Sequence, residues 1–317
     1  MPSLNYSLQS IFRDCLRVRP QERVLTLCDI PMLEFASKVF QTSVKYSRFP
    51  SFHVIQELTR ANTEPDRSVC DLMQSQDVIL LVTSRSLSHT RARRNASGKG
   101  ARIVSMPGIS EEILCRTLNG KYKQQLYKSR KLADILTIGR TAKLTSPLGT
   151  NLSFSIARQP GHADTGMVQD AGRFSNLPAG EACVGPVQGS AEGKIVVDGS
   201  FPGVGKIGSP VEMRVKNGYV VRITGENEAR QIRTLLKPFG RPGRNIAEVG
   251  IGTNPDARFT GCTLEDEKVM GTVHVGLGNN LSFEGKVDVS SHMDAVLFKP
   301  TLWIDDRVII QDGEILV

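Results

Sequence analysis

The chain has 317 residues, 39% of them hydrophobic and 23% charged, so it is long enough to bury a core without disulfide staples. No apolar run approaches the roughly 20 residues that a membrane helix needs, and the first residues lack a charged and then apolar leader. These features argue against a membrane or secreted protein and predict a soluble, cytoplasmic one. The six cysteines form no CxxC pair and are expected to be free thiols.

The net charge of +8 is concentrated in one segment. Between Arg85 and Lys143 the chain carries a local net charge of +11, which leaves −3 for the remainder. A basic segment can follow phosphates, but this one has no interleaved aromatic residues and matches no nucleic-acid-binding module. We therefore expect a solvated face or a subunit contact and no nucleic-acid partner. A non-catalytic basic binding protein is the third and least favoured class of function.

Residues 1–140 alternate between strand and helix patterns. Apolar spacing predicts a helix over 7–17, and apolar runs at 23–28, 77–83 and 101–106 are typical of strands buried on both faces. This alternation predicts an α/β domain with an open, mostly parallel sheet. No dinucleotide or Walker motif follows these strands, so a nucleotide site is not expected.

Residues 141–317 have a different sequence pattern, which predicts many short strands separated by turns. Asn217-Gly218 between two alternating runs is a strong hairpin signal, and a helix is predicted over 226–236. Further strands are predicted at 246–251, 272–277, 295–298, 301–304 and 307–311. We expect a β-rich α+β domain that carries the chemistry, with the domain boundary near residue 140.

His292-Met293-Asp294 is the sharpest local motif. Residues i and i+2 of a strand share a face, so His292 and Asp294 would point the same way and could bind one metal ion. An exposed polar pair at a strand end is the ordinary alternative, and the motif alone does not decide between the two.

Three other residues favour the metal interpretation. Glu248 and His274 each interrupt an apolar strand, where a charged group is costly unless paired, and Glu181 follows a Pro-x-Gly turn. Each also has a purely structural interpretation as a buried ion pair, a core histidine or a loop carboxylate. Taken together with the first motif, they provide the three carboxylates and two imidazoles that a two-metal hydrolase needs.

These motifs, together with Asp266-Glu267 before the His274 strand, resemble the thermophilic metallo-aminopeptidase family of the aminopeptidase T and aminopeptidase S type from about Gly149 onward. The resemblance implies a hydrolase, a metalloprotease that cleaves an amide or peptide bond, and a homodimer. It also implies two divalent ions, zinc, cobalt or manganese, bound by Glu181, Glu248, His274, His292 and Asp294. In this mechanism Asp294 and Glu248 bridge the ions.

Two features depart from that family. Leu281 stands where the aminopeptidases carry a tyrosine, and the chain is considerably shorter than theirs. We therefore expect a small-molecule or short-peptide substrate. The basic loop with Arg91 and Arg93 is predicted to favour one that bears a carboxylate, because guanidinium groups bind carboxylates bidentately.

The C-terminal pattern also resembles the 2,5-dihydroxypyridine 5,6-dioxygenases, which bind one Fe(II) through two histidines and an aspartate. Their triad joins the H-x-D pair to a histidine where this chain has Glu248, and they lack equivalents of Glu181 and His274. The alternative hypothesis is therefore a mononuclear non-heme Fe(II) ring-cleaving dioxygenase with His274, His292 and Asp294 as a replacement triad. Five potential ligands favour the hydrolase.

Two residues are assigned catalytic roles. Glu181 completes one metal shell, or acts as a general base if a single metal is bound. His89 lies in a segment that falls where the dioxygenases place a catalytic histidine, and it would orient the substrate or its leaving group. An ordinary surface-loop role explains His89 equally well.

Overall fold

The computed structural model describes residues 2–119 and 122–317, with no side chain described over 122–126. Its strands are, in chain order, β1 Arg23–Asp29, β2 Phe49–Ile55, β3 Val78–Val82, β4 Arg102–Ser105, β5 Thr141–Thr145, β6 Asn151–Ser155, β7 Gly161–Asp164, β8 Phe174–Asn176, β9 Glu181–Val184, β10 Glu192–Val197, β11 Ser200–Phe201, β12 Gly205–Lys206, β13 Val211–Lys216, β14 Tyr219–Thr224, β15 Ile246–Gly252, β16 Val273–Gly278, β17 His292–Leu297, β18 Thr301–Ile304, β19 Arg307–Gln311 and β20 Glu314–Ile315. The α-helices are α1 Leu4–Ser10, α2 Leu33–Ser43, α3 Arg67–Gln74, α4 Arg91–Gly98, α5 Glu111–Thr117, α6 Tyr122–Ile138, α7 Asn227–Leu236 and α8 Thr263–Asp266.

The chain forms two compact units. The first comprises residues 1–122 and 165–179, and the second comprises residues 123–164 and 180–317. Residues 165–179 return to the first unit because they contribute β8 to its sheet. The domain boundary near residue 140 stays a prediction. Gly120 and Lys121, part of the basic segment, lie outside the described residues.

The first unit is built on a parallel sheet in the order β2-β1-β3-β4-β8, as the alternating pattern predicted. Every residue of β3 is buried, since a parallel sheet is covered on both faces. The buried carboxylate of Asp29, at the end of β1, accepts the backbone N–H of Ser84 at 2.8 Å and that of Leu58 at 3.4 Å. It thereby ties the carboxyl ends of β1 and β3 together.

The second unit contains an eight-stranded sheet in the order β14-β13-β10-β6-β5-β18-β19-β20 and a five-stranded sheet in the order β17-β16-β15-β9-β7. All neighbours in the five-stranded sheet run antiparallel. Buried apolar residues of both sheets belong to one core cluster. The β-rich character predicted for this half is therefore confirmed.

Across the described ranges, no helix combines the length and the apolar character that a bilayer span requires.

Candidate metal centre

The five-stranded sheet of the second unit has two chemically different faces. On β17, His292 and Asp294 point to one face, while Met293, Ala295 and Leu297 point to the other because strand side chains alternate. Cross-strand pairing extends the first face to His274, Glu248, Cys183 and Glu181, and it reaches His162 and Asp164 on the edge strand β7. The opposite face is apolar, and its residues on β15 and β16 are buried: Val249, Ile251, Val273, Val275 and Leu277.

Glycines in the ligand face make room for the functional side chains. A Cβ built on Gly276 would lie 2.8 Å from His292 Nε2 and 2.9 Å from Asp294 Oδ1. A Cβ on Gly250 would lie 2.2 Å from His274 Nε2. Any side chain at either position would displace the imidazole or the carboxylate, so these glycines are required for the site to exist in this form.

The five predicted ligands meet around Glu248, whose carboxylate lies between two imidazoles. Glu248 Oε2 is 2.9 Å from His292 Nε2, and Glu248 Oε1 is 3.6 Å from His274 Nε2. Asp294 Oδ1 is 3.2 Å from His292 Nε2, and Glu181 Oε2 is 3.3 Å from His274 Nε2. Donor atoms spaced in this way are close enough for several of them to bind the same ion.

The ligand atoms fall into overlapping groups. Glu248, His292 and Asp294 offer atoms within 4.8 Å of one another, and so do Glu267, His274 and Asp294. A third group joins Cys183 to Glu181 and Glu248. The structure thus supports a divalent metal at this face, whereas the number of ions and the assignment of each ligand stay predictions.

A backbone contact fixes the orientation of the His292 ring. The Nδ1–H of His292 donates a hydrogen bond of 2.8 Å to the carbonyl oxygen of Asn279. Holding the proton on Nδ1 directs Nε2 toward the carboxylates, which is the arrangement that metal-binding histidines usually have.

Lys268 is a fully buried cation beside the cluster, and the sequence analysis did not single it out. Its Nζ lies 2.6 Å from Glu181 Oε1, 2.8 Å from Glu267 Oε1 and 3.7 Å from Asp164 Oδ2. A buried charge is tolerated when it is paired, and the surplus of carboxylates around Lys268 supplies several partners. The ammonium therefore holds one oxygen of Glu181 and leaves the other directed at His274.

The protonation of the cluster follows from burial and from these charges. Burial lowers the pKa of His274, but the hydrogen bond with Glu248 and the charge of Glu181 outweigh it and raise that pKa to about 9. Burial also opposes protonation of His292, whose pKa Asp294 and Glu248 nonetheless hold well above its usual value. Without a metal the two imidazoles are therefore cationic between carboxylates, and a bound cation would replace their protons.

Burial has the opposite effect on the neighbouring carboxyl groups. It raises the pKa of Glu267 to about 8 and also raises that of Glu181, although Lys268 opposes both shifts. The pKa of Glu248 is instead held well below its usual value, because its hydrogen bonds to His274 and His292 outweigh the effect of burial.

The sequence analysis missed four residues of this face: Asp164, His162, Cys183 and Lys268. His162-Ala163-Asp164 has the same i, i+2 spacing as the H-x-D pair on β17, and this repetition was a usable signal. Cys183 lies two residues after Glu181 and donates its thiol proton to Glu248. Nothing in the sequence indicates that Lys268 is buried.

His89 and the arginines near it belong to the first unit. The backbone N–H of His89 donates to Asn62 Oδ1 at 2.9 Å, and its carbonyl accepts from Arg94 at 2.7 Å. Arg93 is buried, donates to the carbonyl of Ser88 at 2.7 Å and lies over the ring of Phe174. These contacts hold Arg93 within the first unit, and the substrate-binding role of Arg91 and Arg93 stays a prediction. The catalytic role of His89 stays a prediction.

Comparisons with known proteins identify the relatives of this chain. The family model described as NicX, 2,5-dihydroxypyridine 5,6-dioxygenase, matches residues 19–317. A 2,5-dihydroxypyridine 5,6-dioxygenase of Pseudomonas putida KT2440 is 25% identical over 257 residues, which cover 75% of this chain and 71% of that protein.

Two solved structures share the fold. The 2,5-dihydroxypyridine dioxygenase of Pseudomonas putida KT2440 has a TM-score of 0.85 at 17% identity, covering 99% of this chain and 97% of that one. AmpT of Thermus thermophilus has a TM-score of 0.69 at 15% identity, covering 99% of both chains. At such identities the likeness shows the fold alone.

These findings correct the main functional prediction. The family match over nearly the whole chain names a dioxygenase, so the predicted hydrolase, aminopeptidase and metalloprotease activity is wrong. The number of ligands led to the wrong function, because five donors were taken to require two redox-inert ions. One face of a sheet can carry more donor atoms than a single ion binds. The chain belongs to the NicX family of 2,5-dihydroxypyridine 5,6-dioxygenases.

Proposed function

We propose that the protein is a ring-cleaving dioxygenase that acts on 2,5-dihydroxypyridine or a similar dihydroxylated pyridine and uses one Fe(II). The observation that carries this proposal is the meeting of two imidazole Nε2 atoms at one carboxylate, 2.9 Å and 3.6 Å from the oxygens of Glu248. Family membership supplies the reaction type.

The donor set fits the ion that this family implies. Non-heme Fe(II) oxygenases use two histidines and one carboxylate on a single face, with the remaining positions open. His274 and His292 would supply the imidazoles, and Asp294 or Glu248 would supply the carboxylate. The resemblance to the dioxygenases implies a histidine where this chain has Glu248, so His274 would provide the second imidazole here.

When bound, Fe(II) supplies the one-electron and O₂ chemistry that no amino-acid side chain provides. The chain's own residues orient and deprotonate the substrate. The hydroxyl groups of a dihydroxypyridine carry protons that must leave before the ring becomes electron-rich enough to be oxidised. Glu181, with a pKa raised by burial and one oxygen held by Lys268, is placed to accept such a proton.

The second unit also excludes water from the reaction. Glu181, Glu248 and His274 are each at most 6% exposed, so charges in the site interact in a medium less polar than water. A homodimer, the absence of nucleic-acid partners and the catalytic role of His89 remain predictions beside this proposal.

The test is oxygen consumption by protein reconstituted with Fe(II) under anaerobic conditions. On addition of 2,5-dihydroxypyridine and air-saturated buffer, we expect O₂ uptake equal to substrate loss. H292A and H274A should abolish uptake, whereas D198N, at a partly buried carboxylate that accepts the backbone N–H of Phe298, should retain it. Absence of uptake by the Fe(II)-loaded wild type would refute the proposal, and full activity of H274A would refute the assignment of the second imidazole.

A further inference from the structure

The loop between β16 and β17 is held in shape by two buried asparagines. The side chain of Asn279 donates to Asp288 at 3.2 Å and accepts the backbone N–H of Leu281 at 3.0 Å. Asn280 accepts the backbone N–H of Val287 at 2.8 Å. Amide hydrogen bonds therefore hold the course of this loop, and its one aromatic side chain, Phe283, takes no part in them.

Phe283 lies on the ligand face, between a predicted metal ligand and the edge strand. Its ring centroid is 6.1 Å from that of His292 at an interplanar angle of 29°, and 5.7 Å from that of His162 at 70°. The backbone approaches the sheet closely at Gly185, where a Cβ would lie 2.6 Å from Phe283 Cβ. This close approach brings the ring to the level of the ligands.

The ring is only partly buried, although it lies among polar and charged groups. A phenylalanine left partly exposed beside a charged centre gives up part of the free energy of apolar burial. The hydrogen bonds of the asparagines hold the loop without the Phe283 ring. A flat, partly exposed aromatic ring next to His292 is well suited to contact another planar ring.

We infer that Phe283 is the residue on which the pyridine ring of the substrate stacks, and that it selects planar heteroaromatic rings over saturated ones. The inference rests on the proposed function and adds to it a specificity-determining residue. An electron-rich ring stacked on Phe283 would lie beside His292, with the ring of His162 near its edge. Offset stacking of this kind is the arrangement that aromatic rings prefer.

The experiment measures the equilibrium binding of 2,5-dihydroxypyridine to Fe(II)-loaded protein without oxygen, so that no turnover occurs. F283L keeps an apolar side chain but removes the aromatic face, and F283Y restores that face. F259L is the matched control, because Phe259 is another half-buried aromatic residue of the same unit, paired with Phe298 at 4.5 Å. A saturated dihydroxylated ring is the control ligand, and iron content is measured in each variant.

We expect F283L to raise the Kd for 2,5-dihydroxypyridine by about three- to tenfold, the range for an aromatic pair, with iron content and the Kd of the saturated ligand unchanged. F283Y and F259L should bind like the wild type. An unchanged Kd in F283L overturns the inference. The proposed function is tested separately and stands if the wild type takes up oxygen. A lower iron content, with normal binding once iron is restored, also overturns it, since Phe283 would then only position His292.

Discussion

The same strands form both faces of the five-stranded sheet in the second unit, but the side chains on the two faces differ in polarity. One face is continuous with the core of the unit and consists of valine, leucine, isoleucine, alanine and methionine. The other carries carboxylates, imidazoles and a thiol, separated by glycines. Alternation along each strand keeps the two sets apart, so that the apolar face stabilises the scaffold while the polar face concentrates charge that would be unfavourable in a core.

Stability and chemistry are thus divided between the two faces of the sheet and not between segments of the sequence. Each strand contributes to both, and a one-residue slip of register would exchange them. Substitutions on one face should therefore change metal binding with little effect on the scaffold, and substitutions on the other should do the reverse.

G276A should cause the largest loss of metal affinity. The added methyl group would lie within 2.9 Å of both Asp294 Oδ1 and Glu248 Cβ, and closer still to His292, so the ligands must move. We expect metal affinity to fall on the order of 100-fold, as when the surroundings of metal ligands are disturbed, and activity to fall with it. Titration with Fe(II) or Co(II) measures the change. G98A, where no atom lies within 4 Å of the added methyl group, is the control and should bind metal normally.

K268M should destabilise the fold through the charges that it leaves behind. Removing the buried ammonium leaves Glu181 and Glu267 without their partner, which costs about 3–5 kcal/mol of unfolding free energy. Urea unfolding at pH 8 measures this loss.

The unfolding free energy lost in K268M should decrease as the pH falls toward 5. The folded-state pKa values of these carboxyl groups, already raised by burial, lie above their unfolded values, so the folded state takes up protons and gains stability relative to the unfolded state at lower pH. K194M, which removes an exposed ion pair with Glu212, should cost under about 1 kcal/mol at either pH. A pH-independent loss in K268M would contradict this account.

L277A should lower the stability of the fold and leave metal affinity nearly unchanged, the reverse of G276A. Leu277 is fully buried on the apolar face, and its truncation should cost about 2–5 kcal/mol of unfolding free energy. Metal affinity of the folded protein should stay close to that of the wild type, although Leu277 adjoins Gly276. The exposed Leu148 gives the control variant L148A, which should be nearly neutral. A loss of metal affinity in folded L277A as large as that in G276A would show that the faces are not independent.

Substitution of Cys183 should have the smallest effect, a modest change in metal affinity. Burial keeps its pKa well above the usual value, so the thiol stays protonated and donates to Glu248. C183V removes that donor and should weaken metal binding about tenfold, whereas C183S keeps a donor and should bind nearly as the wild type does. A thiolate charge-transfer band in the Co(II)-loaded wild type would show instead that the sulfur is itself a ligand.

Much of this arrangement was predictable, and the reason is periodicity. The parallel sheet of the first unit and the β-rich character of the second follow from apolar runs and turn signals. Glu248 and His274 stood out because polar residues interrupt apolar strands. The shared strand face marked the H-x-D pair, and a Pro-x-Gly turn marked Glu181. Strands β7, β8 and β9 were not predicted, since they are short and their pairing partners are far away in the sequence. Burial of Lys268 depends on three carboxylates that only the folded chain assembles.

The chemistry was the least predictable part. Carboxylates and imidazoles bind metals in hydrolases and in oxygenases alike, and their number does not fix how many ions bind or which ones. Glu248 illustrates the difficulty, because a carboxylate in that strand suits either a bridging position between two ions or the single carboxylate of a mononuclear site.

Isotope labelling distinguishes a dioxygenase from a hydrolase. Fe(II)-loaded protein is supplied with 2,5-dihydroxypyridine and ¹⁸O₂, and the ring-opened product is analysed by mass spectrometry. We expect a product that carries both atoms of one ¹⁸O₂ molecule, with H292A giving none. A product whose added oxygen comes from water, or an untouched substrate beside efficient cleavage of an amide, would contradict the proposed function.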